Sequence, residues 1–374
     1  MANTEVEIEL DENRSYHRVE RPSRDGQVDR VENILSKAVY PKRLVAGLDD
    51  LTMEELRFHL EECRPLNVGL RLTNVCNYDC IYCGTAANRG KDNDKSMSFD
   101  EYKAVIEQAA EVGARTIIFG ANGEPLLTDR ILELLECTAA AKMTPLIFSN
   151  ISIIGNDRLC MRKHGVDGIE FLRRLDEAGT TLIISTESLQ RESYDHIMGV
   201  KSFDSFELAV KRIREHSTLT RKQTMNGHPL CRIVLSAVVM PINYDERFEL
   251  VEFAHSLNGA AVLKPPSLHG SAAVNKDQMY TVVEAMRIRP EIQELSDKQA
   301  TLQVLTLACA SWTLGFSIDN EGNFMSCMTE EVNPFGDKAN IRNTRLADVL
   351  SRRNELVKLG TSICPVKDKF YVRS

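Results

Sequence analysis

The sequence lacks several features that would assign the protein to a class directly. No stretch approaches the roughly 20 consecutive apolar residues that a membrane-spanning helix needs. The N-terminal segment has no apolar core and does not resemble a secretion signal. No block of Lys or Arg is present and the formal net charge is −8, which argues against a nucleic-acid partner. We therefore expect a cytoplasmic protein that binds neither membrane nor nucleic acid.

The composition predicts a globular protein with a sizeable core, because 43% of the 374 residues are hydrophobic and 27% are charged. This length suits one large domain with an appendage, or two ordinary domains. The chain also has 10 cysteines. Cysteines stay reduced in the cytoplasm, so disulfides do not account for them and metal binding is the leading explanation.

Strands and helices alternate along the middle of the chain. Six strands that are each followed by a helix imply parallel pairing with right-handed crossovers. Six units fall short of the eight in a closed barrel, so the sequence predicts an α/β fold with an open, partial (β/α)6 TIM-like barrel. The predicted strands are 67–72, 116–119, 145–148, 180–185, 232–240 and 261–264.

The pattern changes after Gly270, where two helical segments precede a hairpin around Asn320 and Glu321 and then a last helix. This change predicts a domain boundary near residue 270. The expected parts are an N-terminal extension and helix (1–66), the barrel (67–270) and a small α+β domain (271–374).

Three cysteines follow the first predicted strand in a C-x3-C-x2-C pattern: Cys76, Cys80 and Cys83. Three thiolates this close can hold three corners of a [4Fe–4S] cluster and leave the fourth iron open to a substrate or cofactor. A zinc loop or unrelated buried thiols is the alternative, although zinc more often uses two separated Cys-x2-Cys pairs.

Polar and flexible residues follow the other strands at the barrel end where function gathers. Gly123 and Glu124 follow the second strand, Asn150 follows the third, and Ser185 with Glu187 follows the fourth. Together with the cysteine loop, these residues predict a pocket with a metal cluster at one wall.

Three further residues are candidates for the reacting part of this pocket. Lys264 ends the sixth strand, where it either presents a cation to a substrate or belongs to a stiff Lys-Pro-Pro turn. His269 lies just beyond it and is the best placed of the histidines. Cys231 begins the fifth strand, and a thiol facing the pocket from that end would be able to return a hydrogen atom to a substrate radical.

At this point the chain resembles the radical S-adenosylmethionine (SAM) superfamily. The resemblance spans about 67–264 and rests on the cysteine loop with Tyr82, on Gly123-Glu124-Pro125, and on the segments 183–188 and 194–199. It implies that the open iron binds SAM and that an electron donor such as flavodoxin or ferredoxin reduces the cluster. The reduced cluster would cleave SAM to a 5′-deoxyadenosyl radical, which abstracts a substrate hydrogen atom.

The same resemblance implies roles for single residues. Gly123 and Glu124 would contact the methionine amino group of SAM, and Ser185 its carboxylate. Tyr82 would lie at the adenine, and Glu187 near the ribose or the substrate.

A second cysteine set, Cys309, Cys327 and Cys364, resembles the auxiliary-cluster domains called SPASM and twitch. A full SPASM domain needs about seven cysteines, so the resemblance implies one twitch-like [4Fe–4S] cluster. Cys364 departs from the usual terminal Cys-x2-Cys pair, which leaves the fourth ligand open. Buried thiols or a zinc site is the alternative.

Three functions remain open. The favoured one is oxidation, epimerisation or dehydration of a small molecule, a sugar or aminocyclitol, in natural-product (antibiotic) biosynthesis. The second is a peptide-modifying maturase, which is less favoured because the N-terminus shows no leader-recognition pattern and the cysteines are few. The third is a non-catalytic iron-sulfur or zinc scaffold.

Overall fold

The computed structural model describes residues 31–32, 35, 40–85, 90, 94–120, 122–297, 315–325 and 339–358. The strands in these residues are β1 (Leu44–Val45), β2 (Asn67–Leu70), β3 (Thr116–Phe119), β4 (Thr144–Ser149), β5 (Thr181–Ser185), β6 (Gln223–Met225), β7 (His228–Cys231), β8 (Ile233–Val238), β9 (Ala260–Lys264), β10 (Gly315–Ile318) and β11 (Phe324–Met325).

The α-helices surround the main sheet and alternate with its strands. They are α1 (Met53–Glu61), α2 (Phe99–Glu111), α3 (Ile131–Ala140), α4 (Asp157–His164), α5 (Gly168–Glu177), α6 (Arg191–Met198), α7 (Phe203–His216), α8 (Arg247–Ser256), α9 (Ser271–Val274), α10 (Val282–Leu295) and α11 (Leu346–Lys358). None of the helices in the described ranges is long and apolar enough to cross a bilayer.

Eight strands form the main sheet, in the order β11-β10-β2-β3-β4-β5-β8-β9. The pairings from β10 to β9 are all parallel. This arrangement confirms the predicted α/β partial barrel, with β2, β3, β4, β5, β8 and β9 as its six strands. Every residue of β8 is buried, as expected for a parallel strand with covered faces.

The helices form where the sequence supplies both a cap and an apolar face. Helix α2 starts at a capping box in which Ser98 and Glu101 exchange hydrogen bonds. Its buried side chains recur at helical spacing and pack against the sheet; they are Tyr102, Val105, Ile106 and Ala109.

A small sheet, β1-β7-β6, covers the amino ends of the barrel strands. Val45 pairs with Cys231, and the Thr181 hydroxyl at the start of β5 donates to the Ala46 carbonyl at 3.0 Å. The sequence predicted only a polar extension before the first helix. It missed β1 because two residues carry no periodic signal.

The predicted hairpin near residue 320 is present as β10 and β11, which pair antiparallel. Strand β10 also pairs parallel with β2, so the main sheet continues beyond the boundary expected at residue 270. Arg353 of α11 is fully buried and donates to the Cys63 carbonyl at 2.8 Å, which ties this last helix to the turn after α1.

Candidate active site

One cavity of about 430 Å³ lies at the carboxyl ends of the barrel strands. Cys76, Cys80 and Cys83 all line it and are each half-buried. The loop that carries them begins shortly after β2, so the chain leaves the sheet at the end where parallel strands present their loops. The volume of the cavity lies within the range of ordinary small-molecule sites.

The C-terminal end of α6 holds one side of the cysteine loop. The backbone amides of Asp79 and Ile81 donate to the carbonyls of Met198 and Ile197, both at 3.0 Å. Gly199 ends the helix at φ 69° and lies against Asp79, where a Cβ would overlap the Asp79 carbonyl. A residue without a side chain is therefore required at this contact.

The segment after β9 holds the other side of the loop. The Ser271 amide donates to the Cys83 carbonyl at 2.8 Å, and the Asn275 side chain donates to the Ile81 carbonyl at 3.0 Å. Gly270 lies at φ 58°, and a Cβ there would be 2.6 Å from the Gly84 carbonyl carbon. Backbone contacts on two sides thus fix where the thiols point.

Gly123 and Glu124 bring the end of β3 against the same loop. Gly123 has φ 58°, and a Cβ there would lie 2.6 Å from the Thr73 carbonyl oxygen. The Glu124 amide donates to the Val75 carbonyl at 2.8 Å. Glycine allows the two backbones to approach this closely, and both residues line the cavity as the sequence predicted.

The Glu124 carboxylate is 2% exposed and is largely satisfied within the protein. It accepts hydrogen bonds from the Ser149 hydroxyl at 2.8 Å and from the Asn150 amide at 2.7 Å. Burial raises the pKa of Glu124 to about 7 in spite of these donors. The group joins the ends of β3 and β4.

Asn150 lines the cavity, but its side chain is used inside the protein. Its amide group donates to the Asn77 side chain at 3.0 Å, and its carbonyl accepts from the Ser152 hydroxyl at 2.7 Å. These bonds tie β4 to the cysteine loop. Asn150, which the sequence predicted to bind a cofactor, therefore holds the cysteine loop in place through these hydrogen bonds.

Tyr82 and Glu187 form a pair at one wall. The Tyr82 hydroxyl donates to Glu187 Oε1 at 2.6 Å, and the other carboxylate oxygen is buried with no hydrogen-bond partner among the described residues. Burial raises the pKa of Glu187 to about 7, and burial beside this carboxylate raises the pKa of Tyr82 well above its usual value. Tyr82 lines the cavity and Glu187 lies behind it.

Ser185, Lys264 and His269 complete the wall. Ser185 ends β5 and Lys264 ends β9. The surrounding protein lowers the pKa of the Lys264 ammonium, and the charge of Glu187 opposes that shift. The His269 ring packs on the cysteine loop, since a Cβ at Gly84 would lie 2.7 Å from it.

The donor set fits an iron-sulfur cluster. In the described part of the chain, no group of three or more His, Cys, Asp or Glu side chains is placed to hold a single metal ion. A cubane cluster differs because each thiolate binds its own iron, so three separate thiols around one cavity are what it requires. Cys76, Cys80 and Cys83 supply them.

Residues 70–254 match the family model described as the Radical SAM superfamily. These residues form a radical SAM domain. The match covers the cysteine loop, Gly123, Glu124, Ser185 and Glu187, so it encloses most of the cavity wall described above. Lys264 and His269 lie beyond its end.

Curated relatives match part of this chain at low identity. GTP 3′,8-cyclase of Clostridium perfringens is 23% identical over 189 residues, which are 50% of each chain. A probable GTP 3′,8-cyclase of Methanothermobacter thermautotrophicus is 26% identical over 247 residues, 64% of this chain and 70% of that protein. The chain thus spans about half the length of the Clostridium relative that it matches.

Among solved structures, SuiB of Streptococcus suis bound to S-adenosylmethionine aligns with a TM-score of 0.57 and 15% identity. The alignment covers 79% of this chain and 69% of SuiB. At this identity the likeness concerns the fold, which is the partial barrel of the radical SAM domain.

The structure does not bring Cys231 to the cavity. Cys231 ends β7 and is 1% exposed among Val45, Ile183 and other apolar side chains. It precedes β8 and therefore lies at the amino end of the barrel, whereas the cavity is at the carboxyl ends. The length of the barrel strands therefore lies between Cys231 and the cavity. The prediction that the Cys231 thiol faces the pocket as a hydrogen donor is wrong for this reason.

The second cysteine set, Cys309, Cys327 and Cys364, lies outside the described residues. Met198 and Phe148 are among the cavity residues that the sequence analysis missed. Met198 lies with its sulfur 3.6 Å from the Cys80 thiol, and Phe148 turns an exposed face to the cavity from β4. Phe148 directly precedes the polar strand end at Ser149. An apolar residue at such a position is the signal that would have indicated Phe148 as a cavity residue.

Proposed function

We propose that the protein is a radical SAM enzyme that abstracts a hydrogen atom from a small-molecule substrate. The observation that carries this proposal is the convergence of three thiols and four strand ends on one cavity. When bound there, the cluster and SAM supply a 5′-deoxyadenosyl radical. Cys76, Cys80 and Cys83 would hold three irons, and the backbone clamps on their loop would keep the open iron directed into the cavity.

Gly123, Ser185 and Tyr82 are proposed to orient SAM. Gly123 lines the cavity where its backbone packs against the loop at Thr73 and Val75, and Ser185 offers a hydroxyl from the next wall. Glu187 holds Tyr82 through a 2.6 Å hydrogen bond, so the ring presents a fixed face.

A sugar or aminocyclitol is one candidate substrate, with dehydrogenation, epimerisation or dehydration as the outcome. A purine nucleotide is the second, because relatives are named GTP 3′,8-cyclase and Lys264 places a cation in the cavity. A ribosomal peptide is less favoured, since the cavity has the volume of a small-molecule site.

Formation of 5′-deoxyadenosine tests the proposal. The protein is reconstituted with iron and sulfide without oxygen, reduced with dithionite and given SAM. Ala variants of Cys76, Cys80 and Cys83 should each abolish the product, whereas Cys137→Ala on α3 should retain it. Product from all three loop variants would refute the proposal, and no cleavage by the intact protein would favour a scaffold.

The substrate class is tested by isotope transfer. Candidate sugars and GTP, each deuterated on carbon, are added in turn, and deuterium is measured in 5′-deoxyadenosine. Transfer from one of them identifies the class that loses the hydrogen atom. Transfer from a peptide alone would exclude the small-molecule proposal.

We also propose an auxiliary cluster on Cys309, Cys327 and Cys364, with flavodoxin or ferredoxin as the electron donor. Two [4Fe–4S] clusters require about eight irons per chain and one requires about four. An iron count near four in the reconstituted protein would exclude the auxiliary cluster. A count near eight that falls by half in Cys327→Ala would support it.

A further inference from the structure

Among the described residues that line the cavity, Lys264 is the one lysine or arginine. Its side chain is accessible from the cavity, and it makes no hydrogen bond or ion pair within the described part of the chain. Lys264 is the exposed end of β9, and an accessible ammonium group in a cavity is able to donate charge-assisted hydrogen bonds to an anionic ligand. Among the described residues, Lys264 is therefore available to a ligand in the cavity.

Glu187 does not fill that role. Its charge acts on Lys264, but the two groups do not come within ion-pair distance, and Glu187 is bonded to the Tyr82 hydroxyl. The second Glu187 oxygen is buried and has no hydrogen-bond partner in the part of the chain that the structure describes. A structural Lys–Glu pair would have joined these two groups directly.

The two residues that follow Lys264 offer a ligand no backbone N–H donor. Pro265 and Pro266 follow it and line the cavity too. Proline has no N–H, and a residue before proline is held in an extended conformation. The Lys264 ammonium, with three N–H donors, therefore supplies the hydrogen bonds that a ligand would find there.

We infer that Lys264 forms a subsite for an anionic group of the substrate, a carboxylate or a phosphate. This inference rests on the proposed function, because it assigns the group to the substrate of the same cavity. The proposed contacts of SAM at Gly123, Tyr82 and Ser185 come from other parts of the cavity wall. The end of β9 is therefore left for the substrate. Neutral substrates such as unmodified sugars would bind poorly there.

Anion binding tests the inference without turnover. Pyrophosphate and succinate are titrated separately by calorimetry into the reconstituted, SAM-loaded protein, so that the two anion chemistries are distinguished. Intact protein should bind one of them, and Lys264→Gln should weaken that binding at least about tenfold, equivalent to about 1.4 kcal/mol. Lys264→Arg should restore part of it, because it restores the charge.

Lys222→Gln is the matched control, since it removes one positive charge from an exposed residue just before β6, at the other end of the barrel. It should leave anion binding unchanged. Should Lys264→Gln fail to fold, Lys264→Met, which keeps the length of the side chain, replaces it in the same titration. Equal anion affinity in the intact and substituted proteins, or no anion binding by the intact protein, would overturn the inference.

SAM binding is measured on the same samples. Lys264→Gln should keep the SAM affinity of the intact protein; a loss of SAM affinity with unchanged anion binding would assign Lys264 to SAM and overturn the inference. Cleavage of SAM by the intact protein is assayed in parallel. Failure of that cleavage refutes the proposed function, whereas cleavage without any effect of Lys264 on anions refutes the subsite alone.

Discussion

Replacing Gly199 with Ala tests whether α6 positions the cysteine loop. Gly199 ends α6 at φ 69°, and a Cβ there would overlap the Asp79 carbonyl oxygen and lie 2.7 Å from its carbon. Carbon atoms pack best at about 3.5–4.0 Å, so the loop or the helix must move by about 1 Å. Cys80 follows Asp79 directly. A shift of this size exceeds the roughly 0.5 Å within which site residues must be held.

Gly165→Ala is a matched control for this substitution. Gly165 ends α4 at φ 71°, and no atom of the described residues lies within 4 Å of a Cβ placed there. The control therefore carries the same left-handed strain, about 1 kcal/mol, without any overlap. Gly199→Ala adds an overpacking cost, so we expect it to lower the free energy of unfolding by about 3 kcal/mol in total.

The assay is iron and sulfide per chain after anaerobic reconstitution, together with 5′-deoxyadenosine formation. Gly165→Ala should match the intact protein in both. Gly199→Ala should fold but bind less than about half as much iron, because the thiols no longer match the cluster. If both Ala variants bind iron equally and cleave SAM equally fast, α6 does not position the loop.

Two further predictions concern buried groups. Burial raises the pKa of Glu187 from 4.5 to about 7, so its contribution to stability is present below pH 4.5 and is lost as pH rises through about 7. In denaturant titrations at acidic and alkaline pH, Glu187→Gln should reduce the loss of unfolding free energy between the two conditions by about 3 kcal/mol. An unchanged pH dependence of stability would contradict the raised pKa of Glu187. Cys231→Ala should leave SAM cleavage intact while lowering the free energy of unfolding by about 1 kcal/mol. Loss of cleavage in a folded variant would show that Cys231 belongs to the active site after all.

Much of the barrel was accessible from the sequence because its signals are local. Strand β3 was predicted with the bounds observed, since a short apolar run ends at a glycine. Helix α2 was predicted to within one residue from its cap and spacing. Strand β1 and helix α4 were missed; the first is two residues long and the second buries only Cys160, so neither carries a clear periodic pattern.

The residues of the cavity were predicted from their place at strand ends, but their partners were not. Glu124, for example, was expected to meet a ligand, and the structure shows it holding Ser149 and the Asn150 backbone. Hydrogen bonds between residues 25 or more positions apart depend on how the strands stack. No local pattern encodes that stacking.

The sequence by itself determined the chemistry that the chain can hold, because the spacing of Cys76, Cys80 and Cys83 is a local property of one loop. It also determined the parallel β/α order, since hydrophobic periodicity is local as well. Only the tertiary structure decided which groups share the cavity. It placed Lys264 beside the loop and Cys231 at the other end of the barrel, because the direction of a strand relative to the site is fixed when the sheet assembles.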